Sequence, residues 1–193
     1  MKQICGLIGS LRKNSFNRGL MLAAIEVGRD AGLDIRIFDR LGEIPIYNAD
    51  DDIDGAMPEP VVALKRTISE SAGIIIATPE YNYSVPGGLK NAFDWASRPA
   101  GKSPLNRKPA AIMGASTGIS GTIRAQLALR QSFLFTDTFA LLQPEVLIPR
   151  CADRFDANGI LTDQSTRDLI GRQMRQFAIW IDAVGSARTS GAT

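Results

Sequence analysis

The segment ICGLIGSLRKNSFNRGL, residues 4–20, reads as a strand, a loop and a helix in immediate succession. Ile4–Ile8 is a short apolar run, the pattern of a parallel strand buried on both faces. From Phe16 onward, Phe16, Leu20, Ala24, Val27 and Ala31 fall on one helical stripe, and Gly32 stands where a C-terminal stop belongs. Between strand and helix lies Gly9–Ser15. It has no G-x-G-x-x-G fingerprint, since Gly6 and Gly9 are three apart, and no Gly-Lys-Ser/Thr follows. A dinucleotide loop and a Walker loop are both excluded. What remains are the neutral hydrogen-bonding groups of Ser10, Ser15 and Asn17, the planar guanidinium of Arg12, and the amides and dipole of a helix N-terminus. A phosphate monoester uses every one of these groups. Ser15 alone would also serve as a plain N-cap, and Lys13 reads as solvated.

The same alternation runs through the chain. Asp34–Phe38 alternates as an edge strand, and the polar loop Asp39–Met57 leads into a helix that opens with Pro58 and Pro60 and reaches about Ser71. Gly73–Thr78 is a second fully apolar strand. Ser84 as N-cap and Pro86 in the first turn predict a helix that must end before Pro99. Lys108–Ala115 is a third buried strand, followed by a helix over Gly121–Phe135, a fifth strand over Leu141–Ile148 and a last amphipathic helix over Ser165–Val184. The pattern predicts a single α/β domain over residues 1–184, a doubly wound five-stranded parallel sheet in three α/β/α layers with right-handed crossovers. The remainder, 185–193, has little apolar content and is expected to be a disordered tail.

In such sheets ligands bind beyond the carboxyl ends of the strands, where the strand order reverses. The loops after the first, third and fourth strands are the three most distinctive stretches of the chain. The second, TPEYNYSVPGG, sets two tyrosines and two prolines between a buried strand and a helix, which offers flat apolar surface and a restricted backbone. The third, ASTGISG, has small residues that let backbone approach a ligand closely. A phosphate at one end, a flat ring at the other and backbone donors around the ring describe flavin mononucleotide better than an adenine dinucleotide.

GSLRKNSFN, TPEYNYSVPGGLKNAFDWASRP and GASTGISGTIRAQLALRQ resemble the three signature stretches of the NADPH-dependent FMN reductase family, which includes quinone and chromate reductases. The resemblance implies a flavodoxin-like fold with tightly bound FMN. It places the phosphate on Ser10, Arg12, Ser15, Phe16 and Asn17, and the isoalloxazine on Pro79, Glu80, Tyr81, Asn82 and Tyr83, with Ser116 and Gly118 nearby. It implies that NADPH or NADH delivers hydride to flavin N5 and that a quinone or a similar acceptor (chromate, an azo dye, another small electrophile) then takes it. No catalytic side chain is then required, in keeping with a chain that contains no histidine. Two other classes share these features: a flavin reductase that supplies reduced FMN to a partner enzyme, and a flavodoxin-like electron carrier. Flavodoxins are usually strongly acidic, and the net charge of +2 argues against the carrier.

The same near-neutral charge gives no sign of nucleic-acid binding, and no apolar run is long enough for a membrane span. The start MKQICGLIGSLRK has too short an apolar core for a signal peptide, so a cytoplasmic protein is expected. Cys5 and Cys151 have no metal-binding spacing, and the absence of histidine removes the Ser-His-Asp and Cys-His arrangements along with the usual zinc sites. The stretch DDDIDG at 50–55 imitates the opening of a calcium loop, but Val61 stands where the bidentate glutamate belongs, so no metal is expected. The helix with Leu89, Ala92, Phe93, Trp95 and Ala96 and the helix with Ile123, Leu127, Leu134 and Phe135 both show apolar arcs wider than one core-facing stripe. These arcs predict subunit contacts, and family relatives are homodimers or homotetramers. Arg12, Lys13, Arg98 and Arg107 are four unranked candidates for reading the 2′-phosphate that separates NADPH from NADH.

Overall fold

Three strands set the centre of the molecule because they are apolar on both sides. The computed structural model describes residues 1–53 and 56–190, with side chains as far as Gly185. In β1 (Lys2–Ile8) every residue from Ile4 on is buried, and β3 (Gly73–Ala77) and β4 (Pro109–Ala115) are buried throughout. Such strands are stable only with helices on both faces. The chain supplies α1 (Phe16–Arg29), α2 (Glu59–Glu70), α3 (Gly87–Ala96), α4 (Ile123–Thr136) and α5 (Gln164–Ser190), together with an edge strand β2 (Leu33–Phe38). All strand pairs are parallel, in the order β2-β1-β3-β4-β5, so the order reverses between β1 and β3. Alternation along β1 divides the core. Ile4 and Ile8 face α1 and α5 with Met21, Met174 and Phe177, while Cys5 and Leu7 face α2, α3 and α4 with Leu64, Trp95 and Phe133.

The last strand departs from the expected single run Leu141–Ile148. It is two pieces, β5 (Phe139–Ala140) paired with Pro109–Ala110 and β6 (Val146–Ile148) paired with Met113–Ala115. Pro144, which has no amide hydrogen to give a ladder, stands in the gap. Buried Gln173 on α5 fills it, donating from Nε2 to the carbonyls of Ile112 (2.9 Å) and Pro144 (3.0 Å).

Two further expectations are corrected. Ser84 does not cap α3. Pro86 holds the cap position in extended backbone with no side-chain bond, and Ser84 closes a turn with Tyr81 instead. Nor does the apolar arc of α3 face outward, because Leu89, Ala92, Phe93, Trp95 and Ala96 are all buried inside this chain. Its outer side packs under the loop after β2, where Trp95 Nε1 and Asn91 Nδ2 both donate to Pro45 O at 2.8 Å, and Tyr47 meets Trp95 edge-on at 5.0 Å. The other wide helix, α4, keeps its second face open, with Leu127, Leu134 and Phe135 exposed.

At the end of the chain α5 continues past Val184 to Ser190, through most of the expected tail, and 191–193 lie outside the described residues. So do residues 54 and 55 of the acidic stretch, whose start forms a turn at Ala49–Asp51. Among the described residues no helix is long and apolar enough to cross a membrane.

Candidate functional site

The ladders carry three loops to one rim. Gly9 N donates to Ala77 O (2.9 Å), Thr78 N to Met113 O (2.9 Å) and Ser116 N to Ile148 O (3.0 Å), so the segments after β1, β3 and β4 leave the sheet side by side at their carboxyl ends.

In the first loop Ser15 is the N-cap of α1, its hydroxyl accepting from Arg18 N at 3.1 Å. This bond satisfies one donor of the helix start. Among the described residues the amides of Leu11, Lys13, Asn14, Ser15, Phe16 and Asn17 have no protein acceptor. Ser10 is nearly buried, and its hydroxyl meets Arg12 N at a long 3.4 Å. The side chains of Asn17 and Phe16 are committed elsewhere. Asn17 Nδ2 donates to Ala115 O (3.0 Å) and its Oδ1 accepts from Ala115 N (2.9 Å), which ties the start of α1 to the end of β4. Phe16 packs on Phe155 at 4.9 Å. These two residues bring only their amides to the loop.

The second loop folds back on itself. Tyr81 and Ser84 exchange backbone hydrogen bonds of 3.0 and 2.9 Å, and the two residues between them, Asn82 and Tyr83, have φ of +49° and +65°. This left-handed pair is the geometry of a mirror-image hairpin turn, usually given to glycine or to an asparagine–glycine pair. Side-chain-bearing residues persist there only when their surroundings hold them, and such strain concentrates at functional sites.

Glu80 supplies the hold. Its carboxylate, 6% exposed, accepts from Ser120 Oγ (2.9 Å), Arg124 N (2.9 Å), Arg124 Nη1 (3.0 Å) and Ala125 N (3.3 Å). The residue at the N-cap of α4, Thr122, has φ of +75° and makes no side-chain cap bond, so a carboxylate from another loop caps this helix. Burial raises the Glu80 pKa, but the bonds from Ser120, Arg124 and Ala125 outweigh it and hold the group below the ordinary carboxylate value. Arg124 also lies over the Tyr83 ring, its guanidinium carbon 3.9 Å from the centroid.

In the third loop Gly118 N donates to Ser116 Oγ (3.1 Å), while Ser116 O and Gly118 O accept from Cys151 N and Arg150 N. A Cβ on Gly114, just below this loop, would come within 2.0 Å of Thr122 Oγ1 and 2.5 Å of Thr78 O, so the second and third loops close over this strand only because no side chain is there.

All the expected site residues, Ser10, Arg12, Ser15, Phe16 and Asn17, Pro79 through Tyr83, and Ser116 with Gly118, are therefore carried on adjacent loops of one rim or, for Phe16 and Asn17, on the first turn of α1 beside them. The residues that the sequence pattern missed are Ser120, Arg124 and Ala125, which bind Glu80 across some forty positions with no spacing to announce them. Neither thiol takes part. Burial pushes Cys5 up to about 12 and Cys151 up to about 11, so both remain protonated near neutral pH.

The model of the family described as NADPH-dependent FMN reductase matches residues 2–153. An NAD(P)H-dependent FMN reductase of Pseudomonas aeruginosa is 43% identical over 179 residues, covering 93% of this chain and 95% of the relative. A 2-hydroxy-1,4-benzoquinone reductase of a Burkholderia species is 41% identical over 180 residues, covering 93% and 96%. Among solved structures, the flavoenzyme NAD(P)H:acceptor oxidoreductase FerB of Paracoccus denitrificans superposes with a TM-score of 0.85 at 36% identity, covering 95% of this chain and 98% of its own.

Because the Glu80 pKa is lowered on folding, the stability it contributes is present above the ordinary carboxylate pKa and is lost as pH falls through the lowered value. Glu80→Gln should speed amide exchange at Arg124 and Ala125 by about ten-fold at neutral pH, equivalent to about 1.4 kcal/mol. The wild type should show the same acceleration only on acidification below the usual carboxylate range. Identical exchange in both proteins would contradict the clamp.

Proposed function

The chain belongs to the NADPH-dependent FMN reductase family, and from that premise we propose that it is an FMN-dependent NAD(P)H oxidoreductase whose acceptors are quinones or similar small electrophiles. The observation that carries this reading is the donor set at the switch point between β1 and β3. The first loop and the helix start after it present a row of amides without a protein acceptor among the described residues, a nearly buried serine hydroxyl and an arginine, a set suited to a phosphate dianion. The next presents the amides of Glu80, Asn82 and Tyr83, again without a protein acceptor among the described residues, on a turn clamped against α4. Donors pre-set in this way suit a ring whose rim carries carbonyl and imine acceptors. The residues therefore fit FMN.

Ser10, Arg12 and Ser15, with the amides of Phe16 and Asn17, would hold its phosphate. Pro79 through Tyr83, with Ser116 and Gly118, would frame its ring. FMN, when bound, supplies the hydride chemistry that links a nicotinamide to an acceptor. The protein's part is positional and electrostatic: rigid loops fix the ring, and backbone N–H groups lie where negative charge gathers on reduction. No side chain is needed as a general base. The number and charge of the phosphate donors favour FMN that stays bound through turnover, rather than FMN that leaves as product.

A second copy of the chain covers the open face of α4. Leu127 is 54%, Leu134 85% and Phe135 82% exposed, more than a lone subunit commonly leaves on one helix, and exposed Tyr83 and Ile119 lie at the start of the same helix. This face supports a homodimer, or a tetramer built from it. The cytoplasm, where reduced nicotinamides are abundant and thiols stay reduced, is the compartment this chemistry and the two free cysteines suit.

Arg12→Ala should weaken FMN retention by about ten-fold or more, while molecules that keep FMN are reduced by NAD(P)H at near the wild-type rate in stopped flow. The opposite order would remove Arg12 from the phosphate site. In sedimentation, Leu134→Asp with Phe135→Asp should convert the assembly to monomers, and a monomeric wild type would contradict the interface.

A further inference from the structure

We propose that the cleft between α2 and the segment 99–108 binds an organic molecule that ends in a chain of phosphate groups. The site is independent of the flavoenzyme reading, and none of its residues belongs to the three loops assigned to the flavin. Along α2, Val62, Lys65, Arg66 and Ser69 recur at helical spacing and so share one face. That face and the segment joining α3 to β4 enclose about 900 Å³, a volume in the range of small-molecule sites.

Charge is segregated there. The chain has 22 cations and 20 acids, yet the charged residues lining the cleft are Lys65, Arg66, Lys102 and Lys108, with no carboxylate among them. Among the described residues Lys65, Arg66 and Lys102 form no ion pair, whereas Arg40, Arg124 and Arg154 each hold a carboxylate. Glu59, the acid that the field of Arg66 reaches, is itself bonded to Arg40. Partly buried Lys65 has only the thioether of Met57 as acceptor, at 3.4 Å, and a thioether is a weak one. Lys108 is nearly buried, and the carbonyls of Ser69 (3.3 Å) and Ser71 (2.6 Å) fix its ammonium in the wall. Four positive charges converging on one cavity suit a polyanion, since a single phosphate dianion would leave half of them unmatched.

The rest of the lining explains why the anion should carry an organic body. Met57, Val62, Pro99 and Pro104 give the cleft apolar wall, and Val62 is half exposed for want of a neighbour. Ser69, Ser103 and Asn106 add neutral hydrogen-bonding groups between this wall and the cations. Apolar surface beside a few converging polar groups is the make-up of a small-molecule site, whereas a surface meant only for water needs neither the walls nor the charge segregation.

The probe is ATP, titrated calorimetrically into the FMN-loaded protein, with tripolyphosphate, adenosine and inorganic phosphate as controls. ATP should bind at least about ten-fold more tightly than adenosine or inorganic phosphate, and several-fold more tightly than tripolyphosphate. Lys65→Gln, Arg66→Gln and Lys102→Gln combined should weaken ATP by about ten-fold or more, while Lys13→Gln, outside the cleft, leaves its affinity intact. The three substitutions keep most of each apolar stem and break no ion pair, so the variant should melt with the wild type and keep its flavin-dependent turnover. Hydrogen exchange should slow at 62–70 and 100–108 when ATP is added and stay unchanged at 11–17 and 80–83. ATP no tighter than adenosine or inorganic phosphate, tripolyphosphate as tight as ATP, an ATP affinity untouched by the triple variant, or protection at 11–17 and 80–83 in place of the cleft would each overturn the proposal. A chain that takes up no FMN would overturn the flavoenzyme reading instead, and the same titration on that protein would still report on the cleft.

Discussion

Parallel strands buried on both faces impose the constraint on which the rest depends. Such strands cannot turn back on themselves, so each must be followed by a helix that returns the chain to the other end of the sheet. Every loop that leaves a carboxyl end therefore opens on the same rim. With the order reversing between β1 and β3, the helices diverge there and the loops after these two strands face a shared gap. Backbone amides without a protein acceptor gather there because the strands bring them to that rim.

Holding those amides still requires forces across the chain. Asn17 fastens the start of α1 to the end of β4 with two hydrogen bonds, and Glu80 fastens the turn after β3 to the start of α4 with four. In both cases a polar side chain from one loop satisfies backbone or cap groups of another, so a displacement of one loop would unmake bonds in its neighbour. The strained pair Asn82–Tyr83 is tolerable within this frame. Rigid donors lose little entropy when a ligand arrives.

Much of this was legible in the sequence because it follows from local pattern. Continuous apolar runs marked β1, β3 and β4, Ser15 marked the start of α1, and small, polar and proline-rich stretches marked the three loops. What was not legible depends on contacts made at a distance. The apolar arc of α3 signals burial on two sides, and only the packing of Pro45 and Tyr47 shows that both sides are filled by the same chain. Leu141–Ile148 has the composition of one strand, while its interruption is sustained by Gln173 from a helix some thirty residues later. The family resemblance put Glu80 at the flavin ring, and its carboxylate turns out to be committed to α4, so that only its amide is left without a protein acceptor among the described residues.

The central claim is that the gap between the loops after β1 and β3 is where FMN is held. Hydrogen exchange measured on FMN-free protein before and after FMN addition tests it most directly. The account predicts new protection at the amides of residues 11–17, 80–83 and 117–118, with the segment 99–108 on the opposite rim unchanged. Absence of protection at the first two segments, or protection concentrated at 99–108, would contradict it.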